Sequence, residues 1–437
     1  MEDPRLSRMY AKLWRHKLAE LWHSAWQTAV KRSGLLITIA VAVLLLLVAV
    51  GVKERGRGNF RKLKTELGVP KPVSPESVAI LPGGQDPVVL QHAQTTDMDN
   101  PEFVSATLLP GRGMNVLQIQ AYLPQKGTVN LLASPSLEDA AKQMTGEDKD
   151  ADGLASLSMG GAIEAPWANR IWGVPLGDDT IATWRGHSLH LPAEGNESDG
   201  GLLLKRQADT VKTNVMPDGG QVQAIYDAGD FDGRWISHTV ITTTVQLNSR
   251  ALEMSISARN TGDQAEPVGI GWQPKFAILS GDRGQATLQL PSALHVEVAD
   301  SHGGMPTGKL SPVEGTPYDF TGHDGARLGS LNLNDSFVHL KQGLLDNGPF
   351  AELRDPKSNY GLRITIMSPT IKAIHVNAPA DSPFVSISPQ FNYDDPFGHE
   401  WAKNEDTGMV VLEPGQTAQW KIRLEIFALD ATASPHM

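Results

Sequence analysis

Asp148, Asp150, Asp152 and Gly153 spell D-x-D-x-D-G, the opening of a loop that gathers oxygen ligands around calcium at every second residue. Such a loop closes on a bidentate carboxylate twelve positions from its start, and that position here is Met159, which has no oxygen to offer. The run therefore reads as a solvated acidic turn. The 13 histidines show neither H-x-x-H nor H-E-x-x-H spacing, so zinc finds no helix-borne pair of ligands. With no cysteine in the chain, thiolate metal sites, disulfides and a cysteine nucleophile are excluded. G-x-S-x-G, the P-loop and a G-x-G-x-x-G in a βαβ setting are absent, so neither an activated serine nor a nucleotide cradle is indicated. A formal charge of −11 argues against a nucleic-acid surface, because phosphate contacts need clustered Lys and Arg. No metal and no cofactor is expected.

Whatever chemistry the chain performs must be positioned by short strands. Its 42 glycines and 29 prolines supply the special backbone angles of turns and weaken helices. Period-two alternation of apolar and polar residues runs from Val116 to Ala121, His238 to Gln246, Ala251 to Ala258, Leu362 to Met367, Phe384 to Ile387 and Trp420 to Phe427. Leu137 to Met144 is the one segment that reads as a short helix. The expected fold is all-β, an antiparallel sandwich over residues 101–430.

The amino terminus has a different character. Ser33 to Val52 is an uncharged run of 20 residues, long enough as a helix to cross a bilayer core. It starts too late and runs too long for a signal-peptide h-region, and no A-x-A-like site follows, which predicts one retained transmembrane helix over 33–52. Residues 1–32 read as a basic amphipathic segment, suited to an anionic membrane face or to a partner's membrane span, and 53–100 as a linker. Seven Lys or Arg precede the run and six follow it at once, so charge alone leaves the orientation open. A long domain behind an uncleaved anchor favours a cytoplasmic amino terminus, a single pass through the inner (plasma) membrane and a periplasmic or otherwise extracytoplasmic β-domain. Membrane lipid and a membrane protein complex are then the expected neighbours.

Several segments in order resemble one family. Leu109-Pro110-Gly111-Arg112-Gly113-Met114-Asn115-Val116, Pro166-Trp167-Ala168-Asn169-Arg170-Ile171, Gly315-Thr316-Pro317-Tyr318-Asp319-Phe320, Asn334-Asp335-Ser336-Phe337, Ile387-Ser388-Pro389-Gln390 and Leu412-Glu413-Pro414-Gly415-Gln416 are similar to successive motifs of the aldose 1-epimerase, or galactose mutarotase-like, family. The resemblance implies a β-supersandwich with a sugar cleft, here behind one transmembrane helix, and a carbohydrate ligand, either a hexose or a polysaccharide end. It also implies a reaction in which a carboxylate takes the proton of the anomeric hydroxyl while a histidine protonates the ring oxygen, so that the ring opens and recloses as the other anomer.

Carried over residue by residue, the resemblance assigns Asn169, Arg170 and Asp335 to sugar hydroxyls. It sets Asp199, ahead of Gly200-Gly201, where the family has the histidine of H-G-G. Gln273 stands where the family has its acid histidine and Ser388 where it has its base glutamate. Neither titrates near neutral pH, and a positioned acid or base contributes about 10²–10⁴-fold. Asp199, Asp394 and Asp395 are the carboxylates that could substitute. Two functions follow as expectations: an isomerase of sugar anomers, or a catalytically degenerate carbohydrate-binding or scaffold subunit of an envelope membrane complex. If Arg170 and Asp335 do not hold sugar, they are expected to form an ion pair between strands.

Overall fold

Strict alternation is what the sandwich is made of. Every second residue is buried from Thr239 to Leu247 and along most of Ala251–Asn260 and Thr417–Phe427, so that one face of each strand meets a core and the other meets solvent. The structure, a computed structural model, describes residues 81–93, 99–299 and 303–429, together with Lys17 and Val43. The 1–32 segment and the 33–52 run, those two residues apart, lie outside it, as does 53–80. Among the described residues, no helix is long and apolar enough to cross a membrane.

Two large antiparallel sheets carry the fold. In the first, strands run in the order Val88–Gln91, Glu102–Leu109, Asn115–Leu123, Gly161–Glu164, Gly271–Ala277, Phe384–Gln390, Ala373–Ala378, Leu333–Val338, Leu294–Ala299, Met305–Pro312, with Gly127–Asn130 paired off the third. The second is built on Gly219–Gly229, Thr239–Leu247, Ala251–Asn260, Thr417–Phe427 and Tyr360–Ile366 as successive neighbours. One continuous core joins them: Trp272, Val376 and Ile387 of the first sheet belong to the same buried cluster as Val245, Met254 and Trp420 of the second. Burial of a large apolar side chain stabilises by roughly 1.5–3 kcal/mol. The polar tips of buried aromatics are used across the layers, with Trp420 Nε1 donating to Pro389 O at 3.0 Å and Tyr360 OH to Ala277 O at 2.9 Å.

Three local expectations change. Val88–Gln91, inside the stretch read as linker, is a strand paired in register with Glu102–Leu109, so the sheet starts before residue 100. Four residues flanked by Pro, Gly and Asp are too few for a period to show in sequence. The expected helix is present as Leu137–Gln143, capped by Ser136, whose Oγ accepts from Asp139 N at 3.1 Å, but a second short helix, Ala155–Ser158, follows it. The acidic turn is not solvated throughout: Asp150 is 5% exposed and accepts from Arg112, itself 1% exposed, at 2.7 Å. A carboxylate read as surface charge thus compensates a buried guanidinium.

Candidate functional site

The face of the first sheet turned away from the sandwich core is polar along its middle. Ser336, His375 and Ser388 stand side by side across three strands. One row further, Asn334, Asn377, Ser386 and Lys275 are in register, and in the opposite direction Gln390, Gly271 and Glu164. Gln273, between Gly271 and Lys275 on its strand, shares their face. His375 is the hub. Asn169 Nδ2 lies 3.1 Å and Ser336 Oγ 3.0 Å from its Nδ1, and Asn334 Oδ1 lies 3.1 Å from its Nε2. Two donors on Nδ1 and an acceptor on Nε2 suit the neutral ring protonated at Nε2. Burial, and then the Arg170 charge, push its pKa down to about 3. It therefore orients neighbours and does not act as an acid at neutral pH.

Asn169 reaches this hub because the Ala165–Arg170 loop is held from two sides. Asn392 accepts from Ala168 N at 3.1 Å and donates to Ala168 O at 2.8 Å, while Gly200 N donates to Asn169 O at 3.0 Å. Asn169 takes a left-handed conformation, φ 60°, which asparagine tolerates better than most residues. Gly201 is required where it stands: its φ is +79°, and a Cβ there would lie 2.4 Å from Ala165 O.

Arg170 follows at once, and its partner is Asp394, which receives N–H bonds from Nε at 3.1 Å and from Nη2. Nη1 donates to Gly303 O at 3.1 Å and faces Glu197 at 3.5 Å, and Nη2 also donates to Gly304 O at 2.9 Å. Burial opposes the charge on the guanidinium, but Asp394, Glu197 and Asp199 outweigh it and keep it protonated. Asp395 accepts from Trp172 N at 2.9 Å, fixing the same loop. Beside this cation the carboxylates are in excess. Asp199, in register with Arg170, is driven up to about 7 by burial first and then by Asp394 and Glu197, and its Oδ1 is sealed from solvent without a hydrogen-bond partner. Glu164, fully buried, is raised well above the carboxylate range by burial and by Asp199, and its Oε1 is likewise unpartnered. Glu197 and Asp199 also line a cleft of about 610 Å³, whose other walls include Leu157, Phe231, Lys205 and Arg234.

Of the residues singled out in sequence, Asn169, Gln273 and Ser388 share the polar face or reach it, and Asp199 and Arg170 flank it. Asp335 does not join them. It is in register with Val376 and so belongs to the inner face, near His295, while its neighbours Asn334 and Ser336 take the outer one. A side-chain period of two separates adjacent residues onto opposite faces, and the ion pair of Arg170 is made with Asp394 instead. Sequence reasoning missed Glu164, Lys275, His375 and Asn392. Only Glu164 carried a signal, as a charged residue in an otherwise apolar strand.

Among the described residues, no group of His, Asp and Glu is arranged to hold a metal ion. The arrangement offers polar side chains for a polyhydroxylated ligand and carboxyls able to exchange protons. Comparison with solved structures finds the same architecture repeatedly. A galactose mutarotase-like protein from Clostridium acetobutylicum matches with a TM-score of 0.62 and 16% identity over 78% of this chain and 98% of that one. The GalM/aldose epimerase homologue from C. elegans matches with a TM-score of 0.57 and 20% identity over 74% and 95%. A galactose 1-epimerase from Lactobacillus acidophilus matches with a TM-score of 0.53 and 13% identity over 78% and 98%. At such identities the likeness concerns the fold. No curated protein matches significantly. The family model for aldose 1-epimerase matches residues 138–425, a stretch that contains both sheets' central strands and every residue of the polar face just described. This chain belongs to the aldose 1-epimerase family.

Proposed function

We propose that this protein binds an aldose of hexose size, or the end of a polysaccharide, against the polar face of the first sheet, and interconverts its anomers slowly. One observation carries the reading: Gln273 and Ser388, which neither give nor take a proton at neutral pH, stand on that face with Asn169 and His375, while the neighbouring carboxyl of Asp199 titrates near 7. The hydrogen-bonding equipment for a sugar is present, and the usual pair of titrating groups is replaced. Arg170, with its N–H groups taken by Asp394, Glu197 and two carbonyl oxygens, anchors the site loop and leaves the ligand to Asn169 and Asp199. The uncharged run 33–52 supports a tether that holds the domain on the outer side of an inner membrane. A reporter fused after Met437 and active in the cytoplasm alone overturns that topology.

The test is polarimetry with the full-length chain in detergent, using α-D-glucose and α-D-galactose. Slow acceleration is expected, and Gln273→His combined with Ser388→Glu is expected to raise it by about 10²-fold or more, with either change alone doing little, because acid and base act as a unit. Fast mutarotation by the unmodified protein that ignores Asp199→Asn refutes the reading. Sugar binding without any acceleration, by contrast, selects the binding-module form of it, which the substitutions at 273 and 388 favour.

A further inference from the structure

The cleft of about 610 Å³ shares two residues with the site loop. Asp199 is in register with Arg170 and Glu197 with Trp172, so these four side chains stand on one face of the same two-stranded ribbon. Glu197 Oε2 lies 3.5 Å from Arg170 Nη1, and both Glu197 and Asp199 line the cleft. The cleft therefore continues the site along that ribbon. Its volume falls among clefts that enclose drug-sized ligands, roughly 300–1,000 Å³, and exceeds what a single pyranose ring needs.

The chemistry of the walls narrows what could fill it. Leu157, Leu202 and Phe231 supply apolar surface, as does Leu154, which is 43% exposed. Each of the three cations in the wall already holds a carboxylate: Lys205 meets Asp152 at 3.2 Å, Arg206 meets Asp232 at 2.7 Å and Arg234 meets Asp179 at 2.7 Å. Glu194 and Glu197 add further negative charge. A phosphate or carboxylate ligand would find no unclaimed cation there and would meet like charge. A wholly apolar ligand would strip water from the ionic rim. A neutral, polyhydroxylated chain satisfies both, with the C–H faces of its rings on the leucines and its hydroxyls on the rim. Trp172 adds a flat surface beside Glu197. It is 36% exposed, although tryptophan is usually well buried, and its main chain is pinned where Asp395 accepts from its N–H at 2.9 Å.

We propose, on the footing of the sugar reading above, that the ligand is the end of a neutral glycan chain, whose following rings stack on Trp172 and lie in the cleft between Leu157 and Glu197. A free hexose fills only the inner part of such a site, and a sugar phosphate is disfavoured in the rest of it. Trp172 and the cleft wall then set the length of chain that is recognised, while Asn169 and its neighbours hold the terminal ring. An exposed indole stacks on a sugar ring without regard to the orientation of any one hydroxyl, and the adjacent Glu197 accepts hydroxyl protons to fix the register of the chain.

The experiment is calorimetric titration of the full-length protein, in a detergent without a sugar headgroup, with D-glucose, D-galactose, glucose 6-phosphate, maltotriose, cellotriose and galactotriose. At least one trisaccharide is expected to bind about 10-fold or more tightly than either hexose, and glucose 6-phosphate no more tightly than glucose. Trp172→Ala, which removes the stacking surface, and Ala193→Trp, which fills the cleft from its wall, are each expected to bring the trisaccharide down to the affinity of the hexose. Hexose binding should stay unchanged in both variants, which also shows that they are folded, and Trp172→Tyr should keep most of the advantage. Hexose binding with no trisaccharide advantage overturns the extended subsite and leaves the sugar reading standing. An advantage that survives both Trp172→Ala and Ala193→Trp overturns its placement in this cleft, and tighter binding of glucose 6-phosphate than of glucose overturns the neutral-chain assignment. If no hexose and no trisaccharide binds the wild type, both readings fall.

Discussion

Two buried charge clusters in this molecule are built with opposite balances. In the second sheet, Glu352 is fully buried on the Phe350–Asp355 strand, and one carboxylate meets two guanidinium groups: Arg354 Nε at 2.8 Å and Arg363 Nε at 2.6 Å. Both arginines keep part of their surface in solvent, Arg354 also meets the exposed Asp324 at 3.3 Å, and neither oxygen of the buried Glu352 carboxylate is left wanting a donor. Around Arg170 the ratio is reversed. One buried guanidinium faces Asp394, Glu197 and Asp199, with Glu164 behind them, and the surplus carboxyls cannot all be ionised at once. Burial and like-charged neighbours raise a carboxyl's pKa, and Asp199 is driven up to about 7 in this way. The first cluster joins strands. The second joins a loop to the sheet and keeps acid–base capacity in reserve.

If that contrast is right, removing the partner carboxylate should cost far more at Arg170 than at Arg354 and Arg363. Asp394→Asn leaves a guanidinium that has little access to water, and a loss of about 3–5 kcal/mol in unfolding free energy is expected from denaturant titration. A loss below that of a surface pair would mean that Glu197 and the carbonyls of Gly303 and Gly304 hold Arg170 unaided. Glu352→Gln is expected to cost less, about 1–2 kcal/mol, because both arginines can turn further into solvent.

A pH-dependent effect also separates the clusters. Asp199 has a folded pKa of about 7 against an unfolded value near 3.8, so between these the native state binds the proton that the unfolded state has released. Its contribution to stability is therefore full below about pH 4 and is lost as the pH rises to 7. Asp199→Asn should stabilise the protein at pH 8, by as much as about 4 kcal/mol, and the advantage should vanish at pH 4. Thermal melts of the two proteins at both pH values measure this, and a pH-independent difference would show that Asp199 is ionised throughout.

Much of the architecture was legible from local pattern. Alternation located the strands around Thr239–Leu247 and Thr417–Phe427, because one buried face imposes a period of two whatever the partner strand is. The motif order likewise brought Asn169, Asp199, Gln273 and Ser388 to attention. Alternation does not say which of two adjacent polar residues faces the site. Asp335 and Asn334 differ by one position, and the pairing of Asp335 with Val376 sent the carboxylate inward and the amide outward.

What the residue string determined by itself was whatever depends on neighbours in the chain: strand periodicity, turn glycines, the uncharged run 33–52 and the absence of titrating side chains at 273 and 388. Tertiary structure decided everything that depends on pairing at a distance. Arg170 finds Asp394 across 224 positions, and Asn169 finds His375 across 206. Burial, which no short window of sequence reports, then sets which of these groups stay charged, because an ionised group taken out of water survives only beside a compensating one.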